Sequence, residues 1–289
     1  MERALVVGVD GSDSSLRALD WAVDEALRRG CELRIVHGSS WEWYEGHEPS
    51  FAINRTSVRT YADHIAAQAV ERAQNRTSAV KVVGQVLPAD PAAALIHESR
   101  EASAVIVGNR GRSELTGLLL GSVSLVVAAQ AECPVIVVRG EERNLTDGFR
   151  RVAVAVDTAK DAAPALEFAF RAAQRRDAAV HAVHAWRCPA HDLPDYPRAE
   201  DATDMHRDLA EAELAQALRG QLRVHSDLTV HREVVEGRPR TALLDAAKSA
   251  DLLVVGARRR KGHVGMQLGP VNHAVLHHAA CPVAVVPHS

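Results

Sequence analysis

Gly108-Asn109-Arg110-Gly111-Arg112-Ser113-Glu114-Leu115-Thr116-Gly117-Leu118-Leu119-Leu120-Gly121-Ser122 follows the apolar run Ala104-Val105-Ile106-Val107 and leads into Val123-Ser124-Leu125-Val126-Val127-Ala128-Ala129. The run before it reads as a buried strand and the run after it as the opening of a helix. Glycines therefore stand where a strand hands over to a helix. Glycine lets the backbone turn sharply and approach a ligand closely, and the first turn of a helix presents unpaired N–H groups at its positive dipole end. The stretch is a candidate phosphate cradle. A tight turn without a ligand is the plainer reading of the same glycines.

Working outward, residues 3–9 form a short apolar run closed by Asp10-Gly11-Ser12-Asp13, a strand followed by turn and cap residues. Ser14 to Arg29 carries Leu16, Leu19, Ala22, Val23, Ala26 and Leu27 at helical spacing. Leu33 to Val36 predicts a second strand, His37 to Arg55 a long loop, and Thr56 to Arg76 a helix. Val80 to Leu87 predicts a third strand, Pro91 to Arg100 a helix, Ala104 to Val107 a fourth strand and Pro134 to Val138 a fifth. Alternating strands and helices imply a parallel sheet with helices on both faces.

The order then repeats. Asp10 matches Asp157 at an offset of 147, and Pro91, Leu95, Gly108, Gly121 and Cys133 match Pro239, Leu243, Gly256, Gly269 and Cys281 at an offset of 148. A nearly constant offset across so many landmarks marks a duplicated domain. The expected domains are 1–140 and 151–289, with 141–150 as a charged linker holding Asn144, Asp147 and Gly148.

In such a sheet, ligands sit where the strand order reverses, outside the carboxyl ends of the strands. The order 3-2-1-4-5 makes strands one and four neighbours and brings Asp10 to the Gly108 loop. Backbone amides at Gly111, Gly121 and Ser122 would take anionic oxygens, and Asp10 would accept from sugar hydroxyls or an adenine amine. His37 and Gly38 would line the neighbouring wall. The chain has neither a Walker A loop nor a G-x-G-x-x-G after strand one.

Composition narrows the class. A length of 289 residues suits two domains, and a net charge of -3 gives no electrostatic case for nucleic acid. The most apolar segment, Gly117 to Ala129, is too short to span a bilayer, and the run ending at Asp10 is too brief for a signal segment, so no membrane partner and a cytoplasmic location are expected. Cys31, Cys133, Cys188 and Cys281 show no zinc spacing, and Cys133 and Cys281 each open a Cys-Pro-Val strand as small buried residues.

The G-x-x-G at Gly108 and Gly111, nine residues and then Gly121-Ser122, with Val9-Asp10-Gly11-Ser12 after strand one and Cys133-Pro134-Val135-Ile136-Val137-Val138 at the end, resembles the universal stress protein family in tandem form. The resemblance covers nearly the whole chain and is to the family's ATP-binding branch. It implies two Rossmann-like domains of the adenine nucleotide alpha hydrolase type. It also implies ATP, with magnesium as companion ion, held by Asp10, Gly38 (backbone, near adenine), Gly108, Gly111, Gly121, Ser122 and Val123. The implied role is a stress-response regulator acting through nucleotide and protein partners, without dedicated catalysis. Pairing through the last strand of each domain would give a homodimer or an intramolecular pseudo-dimer. The alternatives are a slow ATPase or adenine-nucleotide-processing enzyme of the same superfamily, and a dimerisation module with both crevices empty.

The second half departs from the motif. Its matching positions are Asp157, Ala185, Gly256 and Gly269, but Arg259 stands for Gly111 and Pro270 for Ser122. Proline lacks an N–H, so a donor and a hydroxyl are lost together. Arg258-Arg259-Arg260-Lys261 reads either as replacement charge or as a solvated basic loop. The expectation is a nucleotide site in the first half and a structural or regulatory partner in the second. Ser12, Asp13 and Ser14 read as capping residues, His37 and His184 as matching strand-end residues, and Trp41, Trp43 and Tyr44 as a cover for the ligand or a partner contact. His273 and His277 have metal-chelating spacing, but no carboxylate or cysteine completes a set nearby, and no metal is expected.

Overall fold

β1 (Leu5–Gly8) is the centre of the first sheet, flanked by β2 (Leu33–Gly38) on one side and β4 (Ala104–Gly108) on the other, all parallel. β3 (Val82–Leu87) pairs with β2, and β5 (Val135–Val138) with β4, giving the order β3-β2-β1-β4-β5. The computed structural model describes residues 3–39, 55–111, 120–158, 161–187, 200–258 and 268–288. The chain divides between Arg139 and Gly140 into two compact units.

The central strands are continuous apolar runs because both faces are covered. Leu5, Val6, Val7, Ala104, Val105 and Ile106 are fully buried. α1 (Asp13–Arg29) packs with α2 (Arg55–Arg76), and α3 (Pro91–Glu98) with α4 (Ser122–Gln130). α1 starts on a Ser12 side chain that accepts from the Ser15 N–H and stops at Gly30 in the left-handed conformation. Its Ala18, Leu19, Ala22, Val23 and Ala26 turn onto the sheet, and burying a side chain such as Leu19 contributes about 2 kcal/mol.

The second unit repeats the winding. β6 (Arg151–Ala155) pairs with β7 (Ala179–Trp186) and β9 (Leu252–Arg258), β7 with β8 (Val230–Glu236), and β9 with β10 (Val283–His288). α6 (Ala163–Arg176) packs with α7 (Glu200–Val224), and α8 (Pro239–Ala247) with α9 (Pro270–His278). Both sheets therefore have the 3-2-1-4-5 order.

Several boundaries shift from expectation. β2 runs two residues beyond Val36 because His37 and Gly38 continue the ladder opposite Val86 and Leu87. β3 begins at Val82 rather than Val80, and α3 ends at Glu98 with Ser99 as its cap. The stretch 141–150 carries α5 (Glu142–Leu145) and is tied into the second unit. Asn144 Nδ2 donates to the Ala250 carbonyl at 2.8 Å, and the Phe149 and Arg151 N–H groups donate to the buried Asp251 carboxylate at 2.9 and 2.8 Å. Cys31, Cys133 and Cys281 are buried. Among the described residues no helix is long and apolar enough to cross a membrane.

Candidate functional site

A crevice opens at the carboxyl ends of β1 and β4, where the strand order reverses. Toward β2 its wall is apolar, made by Val9, Val36, Gly38, Pro91 and Leu95. Toward β4 it is polar, with Arg110, Gly111, Gly121 and Ser122, and Asp10 is its one carboxylate among the described residues. The structure thus brings Asp10, Gly38, Gly108, Gly111, Gly121, Ser122 and Val123 to one place.

Asp10 is held by the turn that starts α1. Its Oδ1 accepts from the Ser12 N–H at 3.0 Å and the Ser12 hydroxyl at 2.6 Å. Gly11, at φ +83°, makes that turn. The Ser15 hydroxyl accepts from the Asp10 N–H and donates to the Ser12 carbonyl. The other oxygen, Oδ2, lies 2.9 Å from where a Cβ on Gly111 would stand, so a side chain at that position would collide with the carboxylate.

The other glycines divide by role. A Cβ on Gly108 would lie 2.6 Å from Ser14 Oγ and 2.7 Å from the Ser14 carbonyl oxygen, so its glycine lets β4 pass close to α1. Gly121 has an ordinary φ of -73°, and its nearest neighbour to an added Cβ is 3.6 Å away. An added Cβ there would meet only ordinary van der Waals contact, so packing among the described residues does not require glycine. As N-cap of α4, Gly121 provides no side chain to the first-turn N–H groups, while its own N–H donates to the Asn109 carbonyl at 2.8 Å. Ser124 donates to the Gly108 carbonyl at 2.7 Å and clamps this turn against the end of β4.

Several of these bonds recur in the second unit. His37 Nδ1 donates to the Val9 carbonyl at 2.7 Å, and His184 Nδ1 to the Val156 carbonyl at 2.8 Å, so both act as ties between the first two strands. Asn272 Nδ2 donates to the Gly256 carbonyl at 2.8 Å, as Ser124 does to Gly108. Gly269 caps α9 without a side-chain bond, and Pro270 is its first helical residue. Proline suits that position, where no helix bond is lost, but it removes one donor from the helix end.

The matching positions of the second unit differ in bulk and charge as well. A Cβ on Gly38 would lie 2.6 Å from Pro91 Cα, whereas the matching residue of the second unit, Ala185, carries one. Asp157 is exposed at the end of the first strand. Asp161 receives Arg258 Nη2 at 2.5 Å and faces His288 Nδ1 at 4.0 Å. Partial burial alone would raise the Asp161 carboxyl, but the charges of Arg258 and His288 and a Thr158 hydrogen bond hold it below its ordinary value.

Sequence reasoning missed the apolar wall of Val36, Pro91 and Leu95, because Val36 and Leu95 lie inside β2 and α3 and Pro91 opens α3, positions that read as ordinary packing or helix-start residues. His273 and His277 stack with ring centroids 4.3 Å apart, and among the described residues no three His, Cys, Asp or Glu side chains gather as a metal site. Trp41, Trp43, Tyr44, Cys188, residues 112–119 of the glycine stretch, and Arg259, Arg260 and Lys261 lie outside the described residues.

The Universal stress protein family matches the chain twice, over residues 1–139 and 148–287. A universal stress protein of Mycobacterium tuberculosis is 33% identical, with the match covering 97% of this chain and 94% of the relative. Another from Mycolicibacterium smegmatis is 32% identical and covered over 97% of its length, with 99% of this chain matched. Among solved structures, a universal stress protein from Archaeoglobus fulgidus aligns with a TM-score of 0.70 at 21% identity, covering 99% of this chain and 98% of that one, a likeness of fold.

Proposed function

The chain belongs to the universal stress protein family, and from that premise we propose that it is an ATP-binding regulator of the stress response whose first unit carries the nucleotide site. The observation that carries this reading is the two-sided crevice of the first unit. Its apolar side, between Val36, Gly38, Pro91 and Leu95, suits a flat aromatic base with one polar edge on the Gly38 backbone. Its polar side supplies the uncapped first turn of α4, the Ser122 hydroxyl and the Arg110 side chain for phosphate oxygens. Asp10 stands between them, within the lining, as an acceptor for sugar hydroxyls.

Asp10 suits holding a ligand better than activating water, because Ser12 engages its Oδ1 twice. Magnesium would ride mainly on phosphate oxygens, with Asp10 as the carboxylate within the lining. The second unit, with Pro270 in place of Ser122 and Ala185 in place of Gly38, serves as a structural or regulatory partner. Nucleotide occupancy would then be read by protein partners in the cytoplasm, with pairing within one chain or between two copies.

Calorimetric titration of the full chain with Mg-ATP tests the reading, with one site per chain expected. Two equal sites would refute the division of labour, and no binding would refute the nucleotide role. Turnover at rates ordinary for enzymes, on the order of 10 per second, would replace the regulator by an enzyme.

A further inference from the structure

Each sheet carries an arginine just past the glycine that ends, or nearly ends, its fourth strand in the winding order. Arg110 follows Gly108 by two residues, and Arg258 follows Gly256 by two. What differs is the residue facing them from the opening of the helix after the first strand, Ser14 in one unit and Asp161 in the other, 147 positions on. Ser14 Oγ donates to Asn109 Oδ1 at 2.8 Å and accepts the Arg110 main-chain N–H at 3.1 Å. It fixes the backbone of the loop and adds no charge. Asp161 instead takes the guanidinium of Arg258 itself, at 2.5 Å, with His288 Nδ1 4.0 Å from its other oxygen. Arg110 is exposed and lines the crevice, and among the described residues no carboxylate pairs with it.

We infer that Arg110 is a specificity-determining residue of the first crevice, selecting nucleotides that carry a phosphate chain over the bare nucleoside, and that Ser14 keeps its charge available. In the second unit the same position is neutralised from within by Asp161. A guanidinium matches phosphate oxygens as a planar fork, and its attraction grows with the charge of the ligand. The amides of α4 accept any anion that reaches them, whereas an unpaired arginine adds a term that an uncharged nucleoside does not feel. The inference rests on the nucleotide reading of this crevice.

The test is calorimetric titration of the full chain with ATP, AMP and adenosine, for the parent chain, Arg110→Gln, Arg110→Lys and Ser14→Asp. Arg110→Gln is expected to weaken ATP about 10- to 100-fold while leaving adenosine within about twofold. AMP falls between the two, and Arg110→Lys recovers part of the ATP loss. Ser14→Asp, which introduces the second unit's carboxylate, is expected to reproduce the ATP loss. Ser14 is buried, so Arg110→Gln, at an exposed side chain, decides the matter if Ser14→Asp does not fold. Equal loss for ATP and adenosine, or no loss for either, overturns the role of Arg110 and leaves the nucleotide site standing. A parent chain that binds neither ligand overturns the site and the inference together.

Discussion

The two units are one design solved twice, with the same strand order and the same histidine tie between the first two strands, His37 to Val9 and His184 to Val156. Where they part is the mouth of the crevice. The first has Gly38 and Ser122 in the crevice lining with Ser14 bonded to the loop behind it, and the second has Ala185, Pro270 and Asp161 at the matching positions. The histidine tie and the bond to the carbonyl at the fourth-strand glycine are kept or replaced by an equivalent, while Gly38, Ser14 and Ser122 give way to residues of different volume, charge and donor count. A duplicated chain therefore separates the positions that its fold holds fixed from those that it leaves free to vary.

The largest expected effect comes from erasing that difference. Gly111→Arg combined with Ser122→Pro copies the second unit's residues into the first, removing a helix-end donor and driving a side chain toward Asp10 Oδ2. Affinity for ATP should fall about 100-fold, since two interactions of roughly tenfold each are lost, while the melting temperature stays within a few degrees. Mass spectrometry of co-purified nucleotide checks it, and retained nucleotide would show that the two crevices do not differ where the sequence says they do.

A smaller effect tests the scaffold of the second unit. Asp251 is 1% exposed and accepts the Phe149 and Arg151 N–H groups, whereas the matching Ser103 makes a hydroxyl bond to the Ala4 carbonyl at 3.2 Å. Asp251→Ala should cost about 3 kcal/mol by leaving two backbone donors unpaired, and Ser103→Ala about 1 kcal/mol or less. Urea unfolding midpoints compare them, and equal costs would remove this asymmetry.

The smallest effect is a pH dependence. Burial lowers the His181 imidazole below 6.5 in spite of Glu233 at 2.6 Å. The unfolded chain then takes up the proton at a higher pH than the folded one, so this group's contribution is present above pH 6.5 and declines as pH falls through the lower folded value. The first unit has Arg34 at the matching position, paired with Glu98 at 2.8 Å. His181→Gln should flatten stability against pH on the acid side of 6.5, and an unchanged slope would assign it elsewhere.

Much of this was legible in the residues. Val105 and Ile106 announce a central strand because nothing polar interrupts a run buried on both faces. The edge strands β3 and β8 are harder, since their exposed residues mix Gly84, Gln85, His231 and Arg232 with valines. Gly108 shows what spacing leaves out, for the geometry gives it a role in packing β4 on α1 as well as a place in the crevice wall. The ion pair of Arg258 was not legible, because its partner Asp161 lies 97 positions away, and Ser14, which takes the Arg110 main-chain N–H in the first unit, lies 96 away.

The bond from the helix after the glycine loop to the strand before it bears on how divergence is scored. Ser124 and Asn272 share neither size nor functional group, yet each delivers a hydrogen to the carbonyl at the matching glycine, at 2.7 and 2.8 Å. A count of identical residues records a change at that position. By the donor each carbonyl receives, the two units are unchanged there, because a hydroxyl and an amide answer the same acceptor.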